Sequence, residues 1–397
     1  MHMTKAVKSI ALGLAVLGMG ALAGCGGTQQ TTGEKTYKIG IVQLVEHNAL
    51  DAANRGFVDG LKARGFEEGK NLTIDRQNAQ ADQSNLQNIT QRFVSDKVNL
   101  ICAIATPAAQ SVANATKDIP VVGTAITDYV SAKLAQSNEK PGANITGTSD
   151  INPIHEQIDL LMKLYPNAKT IGTIYSSSEI NSEIQIKAMT AYAQSKGLTV
   201  RAATVSTVND IPQAAQSLVS DVDVFYEPTD NVISSSIPTL VGVTDAAGKA
   251  VICAEPFMVT GGCLATYGID YYKLGVQTGD MAADILEGKS VPADMPIQSA
   301  RDLTLVISKG NAARLGLTVV PDPALRELHF GAWEGRFFSE INTEDPETLK
   351  HFYRDPEHAN IPDSEDFSVF QKRIAGRVRT IATEHRGERV IIVSHGA

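Results

Sequence analysis

The chain has 397 residues, 43% of them hydrophobic and 20% charged, with a formal net charge of -9 at pH 7. That length exceeds one compact core and implies two or three domains, and the composition is that of a soluble globular protein. No basic face dominates, which argues against a nucleic-acid partner, because phosphate binding needs one.

The first residues read MHMTKAVKSIALGLAVLGMGALAGCGG. Lys5 and Lys8 form a short positive region, and residues 10–23 form an apolar run that is short for a bilayer span. The run closes on Leu22-Ala23-Gly24-Cys25, which resembles a bacterial lipobox. The resemblance implies a lipoprotein signal peptide over 1–24 and lipidation of Cys25. The protein would then be held on the extracytoplasmic face of the cell membrane. Residues 25–36 follow as a polar, flexible tether.

From residue 37 short apolar runs alternate with amphipathic stretches. Strands are expected over 37–45, 71–79, 99–105, 119–126 and 143–150, with helices over 49–66, over 83–98 and from Pro107. The rhythm then restarts. Helices over 154–166, 181–197, 211–220 and 233–248 interleave with strands over 170–176, 199–205, 222–228 and 250–256. Strands alternating with helices imply parallel sheets built from right-handed βαβ units. Two such units of similar size imply an α/β protein of two Rossmann-like lobes facing each other.

In parallel sheets ligands sit off the carboxyl ends of the strands. The loops there are polar: Glu46, His47 and Asn48 after the first strand, Thr106 before Pro107 after the third, Thr127 and Asp128 after the fourth. In the second unit the corresponding loops read YSSSEINS, EPTDNVIS and AEPFMVTGG. Hydroxyls at helix starts leave backbone N–H groups for a carboxylate, and facing Asp and Glu suit an ammonium. Together they describe a pocket for a zwitterion. Cys102 and Cys253 lie in apolar strand-like runs, where thiols are usually buried and free. A Cys253–Cys263 pair is the lesser alternative. No cysteine spacing suits zinc, and no metal or cofactor is expected.

The stretches FVSDKVNLICAIATPAAQSVANATKDIPVV, PGANITGTSD, YPNAKTIGTIYSSSEINS, PTDN and ATYGIDYYKLGVQTGDMAADIL resemble the tryptophan/tyrosine-type ABC transporter substrate-binding lipoproteins. The resemblance covers about 37–317 and implies the periplasmic-binding-protein type I fold with three hinge crossings. They are expected near Asp150–Asn152, Gly268–Asp270 and Pro296. Lobe 1 would hold 37–150 with about 270–296, and lobe 2 would hold 151–269 with about 297–318. The implied ligand is an aromatic amino acid, L-tryptophan first, passed to a membrane permease and its ATPase. Besides Glu46, His47, Thr127 and Asp128, the site is expected to use Thr106, Ser177 and Thr229 for the carboxylate. Asp150, Asp230 or Asp270 would hold the amine, with Asn231 and Glu255 beside them. Pro107, Tyr175 and Phe257 are expected as walls for the ring.

Residues 319–397 change character. Leu325-Arg326-Glu327, Phe330-Gly331-Ala332-Trp333-Glu334-Gly335 and Val393-Ser394-His395-Gly396 resemble the histidine phosphatase, or phosphoglycerate mutase-like, family. The resemblance makes Glu327 the counterpart of its proton donor and His395 the counterpart of its second, phosphoryl-contacting histidine. The family's nucleophile belongs to an Arg-His-Gly motif, and none occurs in this sequence. Its Pro-Gly-Gly-Glu-Ser stretch is replaced by Pro362-Asp363-Ser364-Glu365-Asp366. A phosphohistidine intermediate needs its nucleophile, so the tail is expected to be a partial α/β fragment without activity. The competing readings are a bifunctional protein with phosphatase activity and a sensory binding lipoprotein.

Overall fold

The computed structural model describes residues 35–300, 303–336, 338–388 and 390–392. The chain divides into two units, Met1–Lys35 and Thr36–Ala397; the second carries the architecture below. Cys25 and His395 lie outside the described residues.

In the first lobe β1 (Tyr37–Gln43), β2 (Leu72–Asn78), β3 (Leu100–Ile104), β4 (Val121–Ile126) and β5 (Ile145–Ser149) alternate with α1 (Asn48–Ala63), α2 (Gln83–Ser95) and α3 (Thr106–Ala115). In the second, α4 (Ile154–Leu164), β6 (Thr170–Ser176), α5 (Ile180–Ser195), β7 (Thr199–Val205), α6 (Ile211–Leu218) and β8 (Val224–Glu227) come first. They are followed by α7 (Asn231–Ser235), α8 (Ile237–Ala246), β9 (Val251–Cys253), α9 (Pro256–Thr260) and β10 (Ala265–Ile269). Then come α10 (Tyr271–Leu286), β11 (Gln298–Ser299), β12 (Leu303–Ile307) and α11 (Lys309–Arg314).

Both sheets have six strands, ordered β11-β5-β4-β3-β1-β2 and β12-β10-β9-β8-β6-β7. All pairs are parallel except β10 with β12. β3 and β4 are buried along their whole length, as central strands covered by helices on both faces must be. β2 and β7 are edge strands and carry the exposed polar residues.

The chain passes between lobes three times, between Ser149 and Ile154, at Asp270, and between Ser299 and Leu303. The third passage lies beyond Pro296, because Gln298 and Ser299 first pair with Thr148 and Ser149 of the first sheet. The return places α10 against α1 through glycines. A Cβ on Gly275 would stand 2.1 Å from the Ala53 carbonyl oxygen, so only glycine allows this approach.

One helix was expected over 233–248, and the structure has two, broken at Ser236. Pro238 causes the break, since its ring lacks an N–H and would clash with the carbonyl of Ser234 in a continuous helix. Cys102, Cys253 and Cys263 are buried free thiols, so the lesser alternative of a Cys253–Cys263 bond does not hold.

Beyond the lobes lie α12 (Phe338–Glu344), α13 (Pro346–Arg354) and α14 (Phe367–Glu384). Trp333, Ile341, Leu349 and Ile361 form a small separate core, with Phe352 set edge-on to Trp333 at 5.8 Å. Arg373 binds the carbonyls of Ala324 and Arg326 and pairs with Glu365 at 2.7 Å, which fixes α14 to the segment before Glu327. Val390–Ile392 belong to no strand among the described residues, and Val390 is 45% exposed.

Candidate functional site

The carboxyl ends of the two sheets face each other across a narrow cleft. The first lobe contributes His47, Ala49, Leu50, Ala125, Thr127 and Asp150, the second contributes Asn181, Thr229, Asn231, Ser234 and Glu255, and Tyr271 opens α10.

The backbone prepares the first-lobe wall. Ala105 and Ala125, at the ends of β3 and β4, have φ of +83° and +54°, a region that side chains rarely adopt. The β4–β5 register shifts between Gly123 and Ile126, and after this bulge Thr127 lines the cleft. Strain of this kind persists only where the surrounding structure enforces it.

Asp150 is buried and accepts hydrogen bonds from Thr127 Oγ1 at 3.1 Å and Tyr271 Oη at 2.8 Å. Burial raises its pKa against these two donors. Glu255, the N-cap of α9, accepts from the backbone N of Phe257 at 2.7 Å. Burial, with a smaller contribution from the Asp150 charge, pushes the Glu255 carboxyl up to about 7. No Lys or Arg lines the cleft among the described residues. Two buried carboxyls without a cation are suited to receive one.

On the opposite side His47 Nε2 lies 3.3 Å from Asn231 Oδ1, a contact between lobes. Burial pushes the His47 pKa down. Asn231 is held by Glu179, which also accepts from Asn181 Nδ2 at 2.9 Å. Thr229 Oγ1 and Asn181 Oδ1 are buried in the lining without a hydrogen-bond partner among the described residues. Buried polar atoms are rarely left so. His47 caps α1 without a side-chain bond to the helix, and Ala49 and Leu50 of its first turn line the cleft. A helix start of this kind suits a carboxylate.

The cleft thus gathers His47, Thr127, Asp150, Thr229, Asn231 and Glu255 from the expected residues. The others fall elsewhere. Glu46 and Ser177 are exposed outside the lining. Asp128 caps the turn at Val130 and Ser131, and Asp270 caps α10 at Lys273. Asp230 is fully buried and saturated by Ser176 N, Ser182 Oγ and Ile233 N. Thr106 is buried in the first turn of α3, outside the lining, with its hydroxyl unpaired among the described residues. Pro107, Tyr175 and Phe257 are not among the lining residues; Phe257 packs on the first-lobe core. The apolar lining comes instead from Ala49, Leu50, Ala125 and the Tyr271 ring.

Four participants escaped the sequence reading: Asn181, Ser234, Tyr271 and, just behind them, Glu179. Asn181 and Glu179 lie in the polar YSSSEINS loop, which marked the region but not the residues. Tyr271 follows the expected Asp270 by one position, and α10 turns the tyrosine rather than the aspartate inward.

Two parallel α/β lobes, three crossings and a polar cleft at the strand ends define a two-lobe solute-binding protein. Comparison with known proteins agrees. The family described as ABC transporter substrate binding protein matches residues 38–325. A tyrosine-binding protein of Clostridioides difficile is 43% identical over 325 residues, which cover 79% of this chain and 94% of that one. The crystal structure of an ABC domain in complex with L-Trp from Streptococcus pneumonia is 41% identical. It covers 72% of this chain and 96% of its own, at a TM-score of 0.70. A ligand-free, open substrate binding protein with adhesive properties from Clostridium difficile is 44% identical and covers 72% and 97%, at a TM-score of 0.58.

The chain belongs to the ABC transporter substrate binding protein family. Its lobes match the ligand-bound relative better than the open one, although the open one is slightly closer in sequence. The histidine phosphatase superfamily (branch 1) matches residues 290–397.

Proposed function

We propose that the protein binds an aromatic amino acid between its lobes, L-tryptophan first, and delivers it to an ABC permease and its ATPase. The carrying observation is the cleft chemistry: two buried carboxyls, Asp150 and Glu255, with no Lys or Arg in the lining among the described residues. The ammonium would lie at Asp150 and Glu255, and the carboxylate at the start of α1 with the unpaired Thr229 hydroxyl. Asp230 and Asp270 are occupied as helix caps, which favours Asp150 among the three aspartates considered for the amine. The L-Trp-bound and tyrosine-binding relatives support the ligand class, and the second makes L-tyrosine the next ligand to test.

In this reading the protein is extracytoplasmic and anchored by lipid on Cys25. No helix among the described residues is long and apolar enough to cross a membrane. The tail is read as catalytically silent, because the sequence has no Arg-His-Gly nucleophile motif.

Calorimetric titration of L-tryptophan into the chain beginning after Cys25, stripped of bound ligand, tests the reading. Saturable one-to-one heat is expected. Absence of heat with L-tryptophan and L-tyrosine, from protein folded by circular dichroism, would refute it.

A further inference from the structure

Glu179 is buried and outside the cleft lining, yet its carboxyl bonds to Asn181 and Asn231, which both line the cleft. Its Oε1 accepts from the backbone N of Val232 at 3.2 Å, and its Oε2 accepts from the backbone N of Asn231 at 3.1 Å. In the ionised carboxylate, which prevails above about pH 8, Oε2 has no proton to give and is an acceptor whichever way the amides are turned. The side chain of Asn231 meets the same Oε2 at 2.5 Å and must present its Nδ2 there. Its Oδ1 is thereby turned toward His47 Nε2, 3.3 Å away in the other lobe. An amide oxygen only accepts, so the imidazole proton sits on Nε2. Burial disfavours the charged ring, and in the neutral ring of this cleft-lining histidine Nδ1 is the nitrogen that keeps a lone pair.

We propose that Glu179 is a positioning residue that fixes the tautomer of His47 through Asn231. It leaves His47 Nδ1 to accept a hydrogen bond from a ring N–H or O–H of the bound aromatic amino acid. This inference rests on the proposed function and adds a criterion of selection to it. The ammonium of the ligand is drawn to Asp150 and Glu255, since a charged pair outweighs a neutral acceptor. The remaining donor of tryptophan or tyrosine is on its ring. A site built around such a donor rejects a same-shaped ligand that lacks it, because the acceptor is left buried and unpaired.

The test uses the full chain in detergent. Long-range proton–nitrogen correlation on histidine-labelled protein, with His47→Gln to assign the signal, reads the tautomer directly. Calorimetry compares L-tryptophan with 3-benzothienyl-L-alanine, which keeps the shape and loses the ring N–H, and L-tyrosine with L-phenylalanine. The expected result is a neutral His47 protonated on Nε2 and a preference of about tenfold or more for each donor-bearing ligand. Glu179→Gln releases the Asn231 amide to turn, so the His47 proton shifts toward Nδ1 and the preference shrinks, while a merely structural role would leave the tautomer unchanged. The wild-type measurements do not depend on whether that variant folds. A His47 protonated on Nδ1, or equal binding with and without the ring donor, overturns the inference and leaves the proposed function standing. No binding of any aromatic amino acid defeats the proposed function itself, and this inference with it.

Discussion

Tyr271 Oη donates to Asp150 Oδ2 across 2.8 Å, and both side chains are buried at the cleft. Asp150 stands where the chain first leaves the first lobe, and Tyr271 opens α10 just after it returns. Two of the three crossings are therefore tied together by a bond that also forms part of the ligand site. Loss of the hydroxyl in Tyr271→Phe leaves Asp150 with Thr127 as its remaining side-chain donor. The expected cost is about 1–3 kcal/mol of stability, the range for a buried carboxyl deprived of a donor. Denaturant unfolding of the two proteins measures it.

The cleft carboxyls govern affinity. Asp150→Asn removes the charge at the amine position while keeping the shape. Truncating one partner of a buried ion pair costs about 2–5 kcal/mol, so calorimetry should show L-tryptophan binding weakened by tenfold at the least. Glu255, with its pKa near about 7, adds a pH dependence. Affinity for the zwitterion should rise as the pH goes from 6 to 8, because the ionised carboxylate attracts the ammonium. A flat affinity profile would remove Glu255 from the ammonium site.

Stability should move the other way. Glu179 is pushed up to about 8 and Glu255 to about 7, by burial first in both, with the Asp230 and Asp150 charges respectively adding to it. These folded values lie above the unfolded value near 4.3. The folded state therefore binds more protons, and this contribution is complete below the unfolded value and lost as pH rises through 7 and 8. His47, lowered by burial, has the opposite sign, but only as pH falls below about 6.5. The melting temperature without ligand should thus rise when the pH is lowered from 8 to 7. A fall over that interval would contradict the buried acids.

The α1–α10 contact leaves no room for a methyl group. In Gly275→Ala the new Cβ would lie 2.1 Å from the Ala53 carbonyl oxygen, a backbone atom that cannot step aside. Overpacking of this kind costs about 1–3 kcal/mol or more. A drop in the thermal midpoint checks it.

The tail supplies a negative prediction. The full chain should release no phosphate from a generic phosphomonoester, because no Arg-His-Gly nucleophile is present in the sequence. Turnover that disappears in His395→Ala would establish phosphatase activity instead. Removal of residues 319–397 should leave L-tryptophan binding unchanged, since the cleft lining ends at Tyr271.

The sequence by itself determined the alternation of strands and helices, hence two parallel sheets with their ligand end at the strand carboxyl termini. The period of apolar residues carries that information locally, and β3, β4 and β8 needed nothing more to be recognised as buried strands. It also marked the polar loops, because helix starts and turns are written in short runs of Ser, Thr, Asn and Asp. It could not separate a cap from a contact. Asp150, Asp230 and Asp270 look alike in sequence, each preceding a helix. Only the packing turns Asp150 into the cleft and spends Asp230 and Asp270 on backbone N–H groups. Glu179, Asn231 and His47 meet across 52 and 184 positions of chain, a convergence with no local signature. Side-chain direction depends on the twist of each sheet and on how the two lobes close. Tertiary structure therefore decided which of the polar residues form the site.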